Sequence, residues 1–323
     1  GRLNRSRNVQ SRSSFLRMAL GSGAFAVITA CAPMSGTDRA TSDGGALLDH
    51  QTVQASAKSQ ELSAYYARVE SGLLAQGLLR ADGGGPDVPF SARDLVKNFV
   101  KIALFEEYAN VGGRIVAQQT PSRLHRWETP VRMKVEFGAS VPAPQRHVDR
   151  ANITRFANRL SRVSGLRIDQ NETDANYHVF VVNEDERLQL DTRIRQILPG
   201  ISNTALDAVV NMPRSTFCLV FAWDPDGGGS YSQAVAVIRG EHPDKMRLSC
   251  IHEELVQGLG LSNDSPSARP SVFNDDEEFG LLTTHDEALL RMLYDPRMQP
   301  AMTAAQARVQ AEIIAFEILD AKS

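Results

Sequence analysis

The side chains best equipped for chemistry lie together in the run Ile251-His252-Glu253-Glu254-Leu255-Val256-Gln257-Gly258-Leu259-Gly260-Leu261-Ser262-Asn263-Asp264. Three carboxylates, two amides and an imidazole fall there in what reads as a helix and its exit turn. Residues four apart share a helix face, and a glycine lets the chain turn sharply enough to bring a later group back toward them. Oxygen donors of this kind suit calcium, magnesium or manganese better than zinc. A carboxylate beside such an ion deprotonates a bound water. The same groups can instead satisfy one another as a hydrogen-bonded network.

The elements that must position this run are legible from periodicity. Apolar residues at Leu62, Tyr65, Tyr66, Val69, Leu73 and Leu74 predict a helix over Ala57 to Leu79, and Asp82-Gly83-Gly84-Gly85-Pro86 follows it. A second helix is expected from an N-cap at Ser91 through Leu95, Phe99, Ile102 and Tyr108 to Gly112-Gly113. Val131 to Phe137 alternates as a half-buried strand, and Asn152 to Ser164 reads as a helix closed by Gly165. Strands are expected at Tyr177 to Val182, Ser215 to Trp223 and Tyr231 to Ile238, with an irregular or helical insert over Leu188 to Val210. Thr303 to Leu319 has a helical pattern. The mixture predicts an α+β fold, α/β-like in its alternation, with helices packed on one sheet.

Two registers of the Ile251–Asp264 run can be compared with zinc-peptidase motifs. Begun at His252, a His-Glu-x-x-His motif needs histidine at 256 and meets Val256. Begun at Glu253, the run resembles the metzincin motif His-Glu-x-x-His-x-x-Gly-x-x-His in spacing: Glu253, Gln257 and Asn263 stand at the ligand positions, Glu254 at the catalytic glutamate and Gly260 at the turn. Asp174 to Phe180 resembles the matrixin-type strand, Ser271-Val272-Phe273-Asn274 the methionine turn with Phe273 in place of methionine, and Leu282 to Tyr294 the final helix. More closely, Glu253-Glu254-Leu255-x-Gln257-x-Leu259-Gly260-Leu261-x-Asn263-Asp264, with Phe273-Asn274-Asp275 and Leu282-Thr283-Thr284-His285-Asp286, is similar to the bacterial domain of unknown function 2927 family, often exported proteins or lipoproteins, over about Val131 to Met298. The resemblance implies a metzincin-like mixed sheet with an active-site-type helix, preceded by the N-terminal helical pair.

The N-terminus reads as an export signal. Arg2, Arg5, Arg7, Arg12 and Arg17 precede a short apolar run from Met18 to Thr29, and Ile28-Thr29-Ala30-Cys31 resembles a lipobox whose cysteine carries lipid. Ser11 to Arg17 resembles a twin-arginine motif with Ser13 at the second arginine, which favours ordinary Sec export. Outside the cytoplasm, Cys218 and Cys250 are a candidate disulfide. The expected organisation is a signal peptide at 1–31, a Ser/Thr/Gly-rich tether at 32–56, the helical pair at 57–113, the metzincin-like domain at 125–300 and a C-terminal helix at 301–323. A net charge of −3, with arginines concentrated at the N-terminus, excludes an electrostatic case for nucleic acid. The expected partners are a membrane, through the lipid, and an envelope protein; the expected location is the periplasm-facing inner or the outer membrane.

Two functions follow. In the preferred one, the fold has lost zinc and serves as a binding or structural lipoprotein: His252, Glu253, Gln257, Asn263, Asp264 and His285 form a polar site, with Arg269 or Arg291 neutralising buried carboxylates. In the alternative, a divalent ion is held there and Glu254 is the general base of a peptidase or cell-wall hydrolase. Asn274-Asp275-Asp276-Glu277-Glu278 reads as a solvated acidic turn, since it lacks the pattern of an EF-hand loop. His125 and His147 are given no role. Serine-nucleophile, phosphate-loop and dinucleotide motifs are absent from the sequence.

Overall fold

A computed structural model describes residues 53–111, 114–274 and 276–321, with the side chains of 106–120 excepted. Cys31, the export signal and most of the tether lie outside the described residues.

The sheet has five strands: β3 (Val131–Phe137), β4 (Ile168–Gln170), β5 (Tyr177–Val182), β6 (Cys218–Trp223) and β7 (Gln233–Arg239), in the order β4-β3-β5-β7-β6. Strands β4, β3, β5 and β7 run parallel, and β6 pairs antiparallel with β7 at one edge. Helix α3 (Ala143–Ser164) makes the crossover from β3 to β4. It begins nine residues before the expected Asn152, because Pro142 and Pro144 occupy a helix start, where a missing N–H costs nothing. Its end at Gly165, with φ 72°, is as expected.

Every residue of β5 is buried because both faces of the sheet are covered. On one face, Val131, Met133, Val135, Tyr177, Val179, Val181, Ala234, Ala236 and Ile238 join the main core with α3, α7 (Asp244–Gln257) and α8 (Thr284–Leu293). On the other, beyond the one-turn helix α4 (Glu184–Arg187), Phe180, Val182, Val235 and Val237 pack against α5 (Asp191–Ile197) and α6 (Asn203–Val210). The insert over 188–210 is therefore helical, and it supplies the second layer.

Helix α1 (Ala57–Ala75) packs through a small cluster of its own, Leu62 and Tyr66 with Leu79 and Met246. Helix α2 (Ala92–Ala103) has its capping box at Ser91 and Asp94, and joins the main core beside α8 and the terminal helix α9 (Ala304–Asp320). The second helix is shorter than expected. From Phe105 the chain forms β1 (Phe105–Val111), paired antiparallel with β2 (Arg114–Pro121). Val111 pairs with Arg114, so the residues from Phe105 to Val111 belong to a strand pair and do not continue the second helix.

Candidate functional site

Helix α7 carries the ligand-rich run, and its buried side presents Cys250, Ile251, Leu255 and Val256 to the main core. Its carboxyl end is held by aromatic donors. The Tyr177 hydroxyl donates to the Glu254 carbonyl (2.9 Å), the Trp127 indole N–H to that of Gly258 (2.9 Å) and the Tyr294 hydroxyl to that of Leu259 (2.8 Å). The Glu254 carbonyl also accepts the Gly258 N–H within the helix, whereas those of Gly258 and Leu259 lie past its end, where buried acceptors need such partners. Burial pushes both tyrosine hydroxyls up, so they remain protonated donors. The close approach requires glycine: a Cβ at Gly258 would lie 2.1 Å from the Tyr177 hydroxyl oxygen. Gly260 takes φ 122°, and its Cβ would meet the His125 carbonyl oxygen at 2.3 Å.

The predicted polar site does not assemble as one cluster. Gln257 Nε2 donates to Asp264 Oδ1 across the turn at 3.1 Å, which joins two of the expected members. Asn263 turns to α2 instead: its Nδ2 donates to the Lys101 carbonyl (2.7 Å) and its backbone N–H to that of Ile102 (3.1 Å). Asn263 thus satisfies the carboxyl end of a neighbouring helix. Glu253 and Glu254 approach Cys218, and the nearest ligand-type atoms of the three lie within 4.8 Å of one another. That sulfur is bonded to Cys250, so the disulfide joins β6 to α7 and leaves two carboxylates there.

Both histidines of the predicted site serve other parts of the fold. His252 stacks on Phe156 (ring centroids 3.8 Å apart) and its Nδ1 accepts the Leu282 N–H at 3.0 Å. Burial, with a contribution from the charge of Arg159, pushes its pKa down to about 3, so it is neutral. His285, in the first turn of α8, is fully buried facing α2; Asn98 Nδ2 lies 3.0 Å from its Nε2, and Asp286 Oδ1 3.3 Å from its Nδ1. Asn98 donates to the first nitrogen and the second donates to the carboxylate, an assignment that satisfies both.

Asp286 is an organising residue that the functional reading of the sequence passed over. Its fully buried carboxylate accepts Ser271 Oγ–H (2.5 Å) and the backbone N–H groups of Val272 (2.9 Å) and Thr283 (3.0 Å). It therefore ties the Ser271–Phe273 segment to the start of α8, with Phe273 fully buried in the main core. The signal available was the spacing Thr283-x-x-Asp286, which forms a capping box.

The proposed arginine partners go elsewhere. Arg269 forks onto Glu278 (2.6 and 2.7 Å) and Arg291 contacts Glu287 (3.4 Å), so neither neutralises Glu254. Glu278 also takes Arg80, and the backbone N–H groups of Leu79 and Arg80 donate to the carbonyls of Glu277 and Glu278. The acidic turn is thus a latch for the segment after α1. His125, given no role, stacks on Tyr231 and lies 3.4 Å from Asp224 Oδ2, while His147 is exposed on α3.

A second polar cluster, unforeseen, occupies the carboxyl ends of β5 and β7. Arg239 donates to the carbonyls of Met212, Pro213 and Thr216 and contacts Glu184, which also pairs with Arg187. Glu241 accepts Ser59 of α1 at 2.9 Å. Burial raises Glu241 and holds His242 well below the usual imidazole range. Arg239 ends the apolar run of β7 and Arg187 closes the acidic run Glu184-Asp185-Glu186, without a shared pattern to mark them.

The family model for a protein of unknown function (DUF2927) matches residues 92–312. No curated protein matches, and no solved structure does. The matched span takes in α2, the whole sheet, α7 and α8 and most of α9, and the chain belongs to the DUF2927 family of proteins of unknown function.

Proposed function

We propose that this protein is a non-catalytic binding or structural component of the bacterial cell envelope, built on a metallopeptidase-like scaffold and tethered by lipid at Cys31. The order of elements supports the scaffold: strand β3, helix α3, strands β4 and β5, a helical insert, strands β6 and β7 and then α7 is, apart from that insert, the layout that the resemblance to metzincins implies.

The observation that carries the loss of catalysis is the fate of the ligand positions. The amide nitrogen of Gln257 donates to Asp264, and that of Asn263 to the end of α2, so the two side chains are directed to different partners. A zinc ion needs nitrogen or sulfur donors around a common point. Here His252 and His285 are engaged with Leu282, Asn98 and Asp286, and Cys218 is in a disulfide. These residues do not fit zinc, and no catalytic step is derived through a metal. The hydrolase alternative would further need Glu254 in contact with a nucleophilic water, whereas Glu254 is buried beside the disulfide.

Full-length protein incubated with excess zinc and then desalted is expected to retain no equimolar metal, and Glu254→Gln is expected to leave its melting temperature and envelope association unchanged. Equimolar zinc that is lost on His252→Gln or His285→Gln would overturn this reading. The tether has its own test: Cys31→Ala is expected to move the protein from the membrane to the soluble fraction.

A further inference from the structure

We propose that a cleft on the α5 face of the sheet, lined by Lys134, His178 and Arg193, binds a small oxyanion, the phosphate or carboxylate group of a ligand. It is separate from α7 and does not depend on the reading of that helix. The cleft measures about 260 Å³. Lys134 of β3 and His178 of β5 are direct register partners on adjacent parallel strands, so their side chains leave the same face of the sheet. Arg193 and Gln196 come from α5, and Gln233 from the start of β7. Five side chains from four elements thus meet on this face of the sheet.

The charge balance of the cluster favours an anion. Glu136 is the internal carboxylate. Its Oε2 lies 3.0 Å from His178 Nδ1, Arg193 Nη2 spans both its oxygens at 3.2 Å, and Lys134 Nζ stands 4.0 Å away. Burial alone would raise the Glu136 carboxyl. The hydrogen bond from His178 and the charges of Arg193 and Lys134 outweigh it and hold the group below its ordinary range. One carboxylate therefore sits among two permanent cations and an imidazole, which leaves positive charge uncompensated. Glu172 also lines the cleft, but it faces Arg150 at 3.5 Å.

Hydrogen-bonding capacity remains as well. Among the described residues, no hydrogen bond engages the Lys134 ammonium or the side-chain amides of Gln196 and Gln233. An ammonium, a guanidinium edge and two amides around one cleft are the donors that recognise a phosphate or carboxylate group. The bland reading is a solvated ion-pair network at the margin of the helical layer. The two readings part on Glu136, which competes with a guest for the same donors.

The test is calorimetric titration of the full-length protein at low ionic strength, with inorganic phosphate and succinate as separate probes. Saturable binding of either supports the proposal, and the probe that binds more tightly says whether the group is phosphate or carboxylate. Lys134→Ala and Arg193→Ala are each expected to weaken binding on the order of tenfold. Glu136→Gln, which removes the internal competitor, is expected to tighten it by a similar factor. Should Arg193→Ala fail to fold, Arg193→Lys keeps the charge without the fork, and is expected to bind more weakly than wild type. The proposal is overturned by absence of saturable binding of both probes, by unchanged binding in the Lys134 and Arg193 variants, or by weaker binding in Glu136→Gln.

Discussion

Replacing His252 with glutamine should flatten the dependence of stability on pH. In the folded chain this imidazole is buried against Phe156, accepts the Leu282 N–H and is pushed down to about 3, whereas an unfolded histidine titrates near 6.5. The unfolded state therefore binds one more proton than the folded state throughout the interval between those values. Stability falls as pH drops through it, by about 1.4 kcal/mol per pH unit once the unfolded imidazole is fully charged. Integrated from pH 7 to pH 5, the cost from this one group is about 2 kcal/mol. Glutamine can accept the same N–H but carries no titrating group. His252→Gln should be less stable than wild type at pH 7 through lost stacking, yet lose about 2 kcal/mol less between pH 7 and pH 5. Urea denaturation at the two pH values, followed by the fluorescence of Trp127 and Trp223, measures both quantities. Parallel pH dependences of wild type and variant would refute the assignment of His252 as a buried neutral histidine.

Three further perturbations test the framework around α7. Arg247 forms a buried pair with Asp149, both oxygens of which lie 2.8 Å from its Nε, and burial dominates by raising that carboxyl. Arg247→Ala should cost about 3–5 kcal/mol in chemical denaturation, and replacement of both partners by apolar residues much less. Gly260→Ala forces a Cβ against the His125 carbonyl at a left-handed φ, and should lower stability by about 2 kcal/mol or more, read from the urea midpoint. Removing the Cys218–Cys250 cross-link, whose sequence separation is 32 residues, by a double serine substitution should cost about 3–4 kcal/mol.

Much of the scaffold is written in local periodicity. Alternation in Val131 to Phe137, the apolar run Tyr177 to Val182 and the capping spacing at Thr283 to Asp286 mark elements whose period a folded sheet or helix must repeat. Gly260 was likewise legible, because a sharp turn after a helix restricts the residue types that can occupy it. The hairpin β1–β2 was not: Leu104, Phe105 and Tyr108 continue a helical spacing begun in α2, and the pairing with Arg114–Pro121 that decides the matter is not local. The N-terminal part of α3 was missed because its Pro-flanked, polar start resembles a loop unless proline is read as a first-turn residue.

The sequence by itself determined which residues are dense in ligand atoms and how far apart they stand along the chain. Only the tertiary structure decided what those atoms face. Spacing of four places Glu253 and Gln257 on one helix side, but the direction of that side depends on which elements surround α7. Tyr177, Trp127 and Tyr294 come from a strand, a loop and the turn that follows α8, all distant in sequence, and together they close the end of α7. Asn263 is drawn to the carbonyls of α2, His252 to Phe156 and His285 to Asn98. A buried polar group must find a partner wherever the fold offers one, because leaving it unmade costs more than the bond gains. That rule acts over the whole fold, so residue types can propose a site while packing assigns each member its partner.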